Sequence, residues 1–263
     1  MNILVTGHNG FIGSRITKRY KELGYNVLTI EGDILSKQYV DDLDKLVGND
    51  RIRIINHHAA QTDVRNSGYD PEFDAKQNII GTLKILRLCE KYGVKKLIYS
   101  SSGGACYGNS EKLPISEDDA TNPISHYGLS KLVGEEYIKL SNISYTILRY
   151  SNVWSEDCNK GIYAILRDNP EPTIFGNGNS TRDYVHVDDV VESNVLALTR
   201  GKDEIINIGT GKGVSINQLM EKYGCFYTKP LYIEKNSNEV DEIFLNISKA
   251  KNVLRWKPNK QII

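Results

Sequence analysis

Leu4-Val5-Thr6-Gly7-His8-Asn9-Gly10-Phe11-Ile12-Gly13 decides the fold: an apolar strand-like run enters a three-glycine loop, and Phe11 to Leu23 continue with helical spacing. In such a turn the first glycine permits a tight bend and the second lets a phosphate approach bare backbone. The third lets the helix pack closely on the strand. The N–H groups that open the helix then face the anion. Gly7, Asn9, Gly10, Phe11, Ile12 and Gly13 are therefore candidate contacts for the pyrophosphate of a dinucleotide. Three glycines alone are a weak signal. The strand before them and the amphipathic helix after them make it specific.

Working outward, short β-branched runs alternate with helical stretches, the pattern of a parallel α/β sheet. Asn2 to Thr6, Asn26 to Ile30, Ile52 to His57, Lys95 to Ser101, Tyr145 to Tyr150 and Glu204 to Ile208 read as strands. Phe73 to Lys91 and Tyr127 to Leu140 have helical spacing. Only about 20 residues separate Glu31 from the Ile52 strand, where a helix alone uses roughly 11–12. The second strand is thus expected at the sheet's edge. The expected fold is a Rossmann-type doubly wound parallel sheet with a small, trimmed C-terminal substrate-binding region. A dinucleotide-binding domain would cover residues 1–150, with 183–208 returning to it. Residues 151–182 and 209–263 would form the substrate region.

Glu31 follows the second strand, 18 residues after Gly13. A carboxylate there accepts ribose hydroxyls and repels a 2′-phosphate, which favours NAD over NADP. Asp33 competes for that role.

Composition narrows the function. The 263 residues carry 33 Lys+Arg against 33 Asp+Glu, which argues against a nucleic-acid partner. No apolar run is long enough to span a membrane, and no signal sequence opens the chain. Cys89, Cys106, Cys158 and Cys225 are too dispersed for a metal site or a disulfide frame, so a cytoplasmic chain with reduced thiols and no metal is expected.

Tyr127 and Lys131 stand four residues apart, on one helix face. A phenol with its ordinary pKa of about 10 must drop by roughly 3 units to act as a base near neutrality. A nearby lysine cation and the positive charge of an oxidised nicotinamide both push that way, and the lysine suits hydrogen bonding to the nicotinamide ribose. Ser100-Ser101-Ser102-Gly103-Gly104 closes the Lys95 strand at the sheet edge where open sheets bind ligands. Ser102 is the candidate proton relay to Tyr127, with Ser100 facing the cofactor. The plainer alternative is a polar turn bonding its own backbone.

Together these residues resemble the nucleotide-sugar epimerase/dehydratase branch of the extended short-chain dehydrogenase/reductase family, and within it the UDP-glucose 4-epimerases. The likeness continues through His57-His58-Ala59-Ala60-Gln61, Asp70-Pro71-Glu72-Phe73 and Asn78-Ile79-Ile80-Gly81-Thr82. It runs on through Leu148-Arg149-Tyr150, Thr181-Arg182-Asp183-Tyr184 and Asn207-Ile208-Gly209. It implies a tightly held NAD, touched also by Ala59, Ala60 and Asn78, and a homodimer built on the two long helices. It implies that Tyr127 takes the proton of the sugar 4-hydroxyl while hydride leaves and returns through a 4-keto sugar. Ser102, Gly103 and Tyr127 would face that sugar. Asn152 would meet its phosphate side, and Arg182 the nucleotide diphosphate; the alternative for Arg182 is a surface pair with Asp183 or Asp188. His57 and His58 are expected to pack at a strand end.

Several positions depart from the family pattern. Gly103 stands where many relatives carry a catalytic serine or threonine, leaving Ser102 as the nearest hydroxyl. Trp154-Ser155-Glu156-Asp157 replaces a Gly-Pro-rich loop, and Asn236-Ser237-Asn238-Glu239 lacks a second diphosphate arginine, with Lys235 as stand-in. The expected activity is a nucleotide-sugar 4-epimerase. The alternatives are a nucleotide 4-keto-sugar reductase and a degenerate non-catalytic NAD-binding module.

Overall fold

A computed structural model of the chain describes residues 1–169, 171–223, 230–234 and 240–263. Its elements begin β1 (Asn2–Thr6), α1 (Phe11–Glu22), β2 (Asn26–Thr29), α2 (Lys37–Asn49), β3 (Ile54–His57), α3 (Val64–Tyr69) and α4 (Pro71–Ala75). One π-helical turn, Lys76–Ile80, joins α4 to α5 (Gly81–Tyr92). Then follow β4 (Lys96–Ser102), α6 (His126–Leu140), β5 (Tyr145–Tyr150), β6 (Asn152–Trp154), α7 (Gly161–Asp168), β7 (Thr173–Phe175), β8 (Thr181–Arg182) and β9 (Tyr184–His186). The chain closes with α8 (Val187–Ala197), β10 (Glu204–Ile208), β11 (Val214–Ser215), α9 (Ile216–Tyr223), β12 (Leu231–Ile233), β13 (Glu242–Ile243) and a second π-helical turn, Ala250–Leu254.

Six parallel strands form the main sheet in the order β10-β5-β4-β3-β1-β2. As expected, β2 is the edge. Residues between it and β3 hold one helix, α2, too few for a further strand-and-helix unit. Strand order reverses between β1 and β3, and in open α/β sheets that is where ligands bind.

The core lies in two layers. One face of the sheet packs Ile16 and Tyr20 of α1 and Val190 and Ala197 of α8. The other packs Leu43 and Val47 of α2, Ile85 and Leu86 of α5, and Ile138 of α6. Both faces of β1, β3 and β4 are covered, which suits their apolar stretches Ile3-Leu4-Val5, Ile54-Ile55 and Leu97-Ile98-Tyr99. Past Ser151 every strand but β10 is short and belongs to a small two- or three-stranded sheet. The tail stays packed: Trp256 is 2% exposed and its Nε1 donates to the Asp189 carbonyl at 2.8 Å. Among the described residues no helix is long and apolar enough to cross a membrane.

Several boundaries differ from the sequence reading, most of them by one residue. Ile52 is buried ahead of β3 without joining the ladder, β4 runs one residue further to Ser102, and the Phe73 helix starts earlier and contains the π-turn. An apolar residue that packs in coil carries the same signal as one in a strand.

Candidate active site

β1 delivers the chain into Gly7, whose φ of +67° only glycine adopts without strain. A Cβ at Gly7 would lie 2.6 Å from the Ala59 nitrogen, and one at Gly13 would lie 2.2 Å from the Gly7 carbonyl oxygen. Protein fills both places. At Gly10 a Cβ would meet just the Gly7 oxygen, at 3.2 Å, so that side is open. Gly10 is also the N-cap of α1, and no side chain caps the helix's first N–H groups. An uncapped helix start beside a bare glycine is a cradle for an anion.

That cradle forms one wall of a cavity of about 600 Å³. Gly7, Asn9, Gly10, Phe11, Ile12 and Gly13 line it, as do Glu31, Tyr127 and Lys131. Ala59, Ala60, Ser100 and Ser102, all named from sequence, line it as well. The ends of β1, β3, β4 and β5 thus bring together the groups predicted from separate motifs.

Ser125 caps α6, its hydroxyl accepting from Gly128 N at 3.1 Å, and Tyr127 N donates to Ser67 Oγ at 3.1 Å. These bonds fix the first turn of the helix and with it the tyrosine. Lys131 is 3% exposed, and its Nζ sits 4.2 Å from the centre of the Tyr99 ring. Burial pulls Lys131 down to about 8, against the raising influence of Cys106, Glu135 and Asp74. For Tyr127 the protein's own surroundings push the phenol up, burial first and Cys106 next, while Ser102 acts the other way, so the lowering expected at neutrality falls to the nicotinamide charge and Lys131. Burial favours the neutral form of each partner.

Other predicted residues lie off the cavity wall. Asp33 Oδ1 accepts from Leu35 N and from Gln77 Nε2, both at 2.9 Å, and so shapes the turn after β2. Asn78 is 2% exposed, its Oδ1 accepting from Gln61 N at 2.9 Å and its Nδ2 reaching the Gln61 carbonyl and Ser130 Oγ. It braces the wall from behind. Gly103 faces Leu245, whose Cδ1 would be 2.6 Å from an added Cβ, so no catalytic hydroxyl fits there without repacking. Asn152 is exposed on β6, beside Gly104. Arg182 Nη1 donates to the carbonyls of Thr181 and Asp241 at 2.9 and 3.3 Å. Lys235 and the Asn236 stretch lie outside the described residues.

Tyr39, His58, Thr62, Tyr150, Ser151 and Val153 line the cavity without having been named for it. His57 does pack: its Nδ1 hydrogen-bonds the Thr6 hydroxyl at 2.7 Å, and it is 2% exposed. His58 stacks on Tyr150 with ring centroids 6.1 Å apart. Tyr150 ends β5, and no motif marks it as a cavity residue. Tyr39 sits on a helix whose docking no motif announces.

Residues 3–209 match the model of the NAD dependent epimerase/dehydratase family. A Methanocaldococcus jannaschii protein, provisionally named a UDP-glucose 4-epimerase, is 42% identical over 290 aligned positions, covering 97% of this chain and 93% of its own. The solved UDP-glucose 4-epimerase of Thermotoga maritima with UDP-glucose is 37% identical, with a TM-score of 0.92 over 100% of this chain and 95% of that one. The Thermus thermophilus UDP-glucose 4-epimerase in complex with NAD is 28% identical, with a TM-score of 0.88 over 99% of this chain and 95% of that one.

Proposed function

This chain belongs to the NAD-dependent epimerase/dehydratase family, and from that premise we propose that it inverts the 4-hydroxyl of a nucleotide-diphosphate sugar of the UDP-glucose/UDP-galactose type. The observation that carries the reading is one cavity that begins at an open glycine cradle and reaches Tyr127, Lys131 and Ser102. The residues fit NAD. Backbone N–H groups from Gly10 onward would take its diphosphate, and Glu31 its adenosine ribose hydroxyls. When bound, NAD accepts a hydride from the sugar's C4 and gives it back.

The chain's own groups do the rest. Tyr127 removes the 4-hydroxyl proton as the carbonyl forms and returns it after the keto sugar has turned over. Lys131 stabilises the phenolate, which the raised phenol otherwise resists. Ser102, whose influence eases that ionisation, holds the proton path between sugar and phenol. Asn152 and Arg182 hold the nucleotide diphosphate side. No net oxidation occurs, so bound cofactor is used repeatedly. Cys89, Cys106 and Cys158 are free thiols, which suits the cytoplasm.

Purified protein should carry NAD and interconvert UDP-glucose and UDP-galactose with none added. Consumption of one NADH per sugar instead would replace this reading with the 4-keto-sugar reductase. Bound NAD without any turnover would leave the non-catalytic module.

A further inference from the structure

Glu135 lies one helical turn beyond Lys131 and two beyond Tyr127, so the three side chains share a face of α6. It is 0% exposed. Its Oε1 accepts from the Ser101 hydroxyl and from Arg149 Nε at 3.0 Å, and its Oε2 accepts from Arg149 Nη2 at 2.6 Å. Ser101 sits on β4 between the cavity-lining Ser100 and Ser102, and Arg149 sits on β5 beside the cavity-lining Tyr150. One carboxylate therefore ties the reactive helix to both strands whose ends make the cavity wall. The Arg149 guanidinium is fixed in turn, 4.8 Å from the centre of the Tyr107 ring, whose hydroxyl donates to Asn207 Oδ1 at 2.8 Å.

Stability alone does not account for such a pair, since apolar residues of similar volume often serve a buried site as well. We propose that Glu135, with Arg149 as its counter-ion, is a positioning residue for Tyr127 and Lys131: it seats the reactive face of α6 on the ends of β4 and β5 and supplies the buried negative charge beside which Lys131 keeps its proton. This rests on the catalytic reading of that pair.

The groups around Lys131 leave few other sources of that charge. From β3 come His57 and His58, held neutral by burial at about 3 and about 4. β4 contributes the Tyr99 ring, and α6 itself contributes Tyr127. Cys106 is pushed up to about 11 and stays a thiol. Asp74 on α4, whose Oδ1 accepts from Gln61 Nε2 at 3.0 Å and Asn78 Nδ2 at 3.1 Å, acts on Lys131 as well. Glu135 is the carboxylate on the lysine's own helix face.

The experiment replaces both ions, Glu135→Met with Arg149→Met, so that no lone charge is buried. The Lys131 amine is followed by the ¹⁵Nζ shift of lysine-labelled protein, its signal assigned with Lys131→Arg. The midpoint, about 8 in the parent, should fall by about one pH unit in the double variant and stay in place in Glu135→Asp. The alkaline limb of kcat should move with it at unchanged KM. A folded double variant with the parental Lys131 midpoint overturns the proposal. Should that variant not fold, Ser101→Ala removes the strand anchor alone. It should lower kcat about tenfold with KM and Tm preserved, and a parental kcat overturns the seating role. The amine titration needs no turnover, so an inactive parent refutes the epimerase reading without touching this test.

Discussion

Arg15 and Asp157 stand 142 positions apart and close on each other beside the cavity, Arg15 Nη2 donating to both carboxylate oxygens at 2.6 and 2.7 Å. The arginine is held further by its Nη1 bond to the Phe11 carbonyl at 2.8 Å and by its stacking 4.5 Å from the centre of the Phe11 ring. Ser155 Oγ donates to Asp157 Oδ1 at 2.6 Å. Phe11 and Val153, near Arg15 and Asp157 in the chain, both line the cavity. An exposed pair contributes little to folding, but a pre-oriented bidentate arginine can still bias a local opening. Asp157→Ala should leave Tm nearly unchanged and speed release of bound NAD about threefold at low salt. Release chased with unlabelled cofactor measures it, and identical rates in both proteins would remove the pair from cofactor retention.

Tyr127→Phe deletes the ionisable oxygen alone. Bound NAD should persist at parental stoichiometry while kcat falls at least a thousandfold, the range expected for a lost acid–base group. Ser102→Ala should cost less, about tenfold to a hundredfold, because it removes a partner of the phenol and not the phenol itself. Initial rates on a UDP-sugar decide it; a phenylalanine variant retaining a tenth of parental activity would show that Tyr127 is not the base.

The glycine loop, the Tyr127–Lys131 spacing and the edge position of β2 were legible because each is set within a short stretch of chain. Chain length between Glu31 and β3 excludes another strand-and-helix unit, whatever the rest of the protein does. The cavity roles of Tyr39 and Tyr150 were not legible, because they depend on how distant elements dock. The same holds for Glu135 and Arg149, whose types alone suggest solvent-exposed charges. The spacing of Tyr127 and Lys131 announces attraction between them, but burial, which opposes the charge on both, appears only once α6 is packed on the sheet.

The glycines give a prediction that separates fold from ligand. Gly13→Ala drives a methyl to 2.2 Å from the Gly7 carbonyl oxygen, and the backbone must yield. Its Tm should fall by several degrees, with cofactor affinity falling as a consequence. Gly10→Ala meets the Gly7 oxygen at 3.2 Å, so Tm should change by no more than a degree or two. Its methyl projects where a diphosphate would approach, and NAD affinity should drop about tenfold. Thermal melts with and without NAD measure both effects. Equal NAD affinity in Gly10→Ala and the parent would place the diphosphate elsewhere.

Acid should loosen the protein through His57. Burial holds its folded-state value down to about 3, against 6.5 for the free imidazole. Between those values the unfolded chain binds a proton that the folded one refuses, so stability is complete above about 6.5 and declines as pH falls toward 3. Each pH unit below the upper value costs about 1.4 kcal/mol for this one group. Denaturant midpoints at pH 7 and pH 5 should differ accordingly. His57→Gln, tested beside the parent, should flatten that dependence; a slope unaltered by the substitution would assign the acid sensitivity to other groups.

Assembly follows from what α6 leaves uncovered. On α5, which follows the π-turn at Lys76–Ile80, Ile85, Leu86, Leu88 and Cys89 are all buried, so that helix turns a wide apolar face to the core. On α6, Ile138 is buried, while Leu129, Tyr137 and Leu140 are 50%, 43% and 83% exposed. With the half-buried Val133 they follow steps of four, four and three, one continuous helical stripe. Ile80, 44% exposed, adds an apolar side chain near the start of α5, which contacts α6. An exposed stripe of this kind is self-complementary across a twofold axis, each copy covering the other's helix. A homodimer of 29.7 kDa chains is the expected state in solution. Light scattering at micromolar concentration should return twice the chain mass, and Tyr137→Glu, which places an unpaired charge at the centre of the stripe, should return the chain mass with the fold intact. A parent that elutes as a monomer, or a Tyr137→Glu variant that stays dimeric, rules out association through this face.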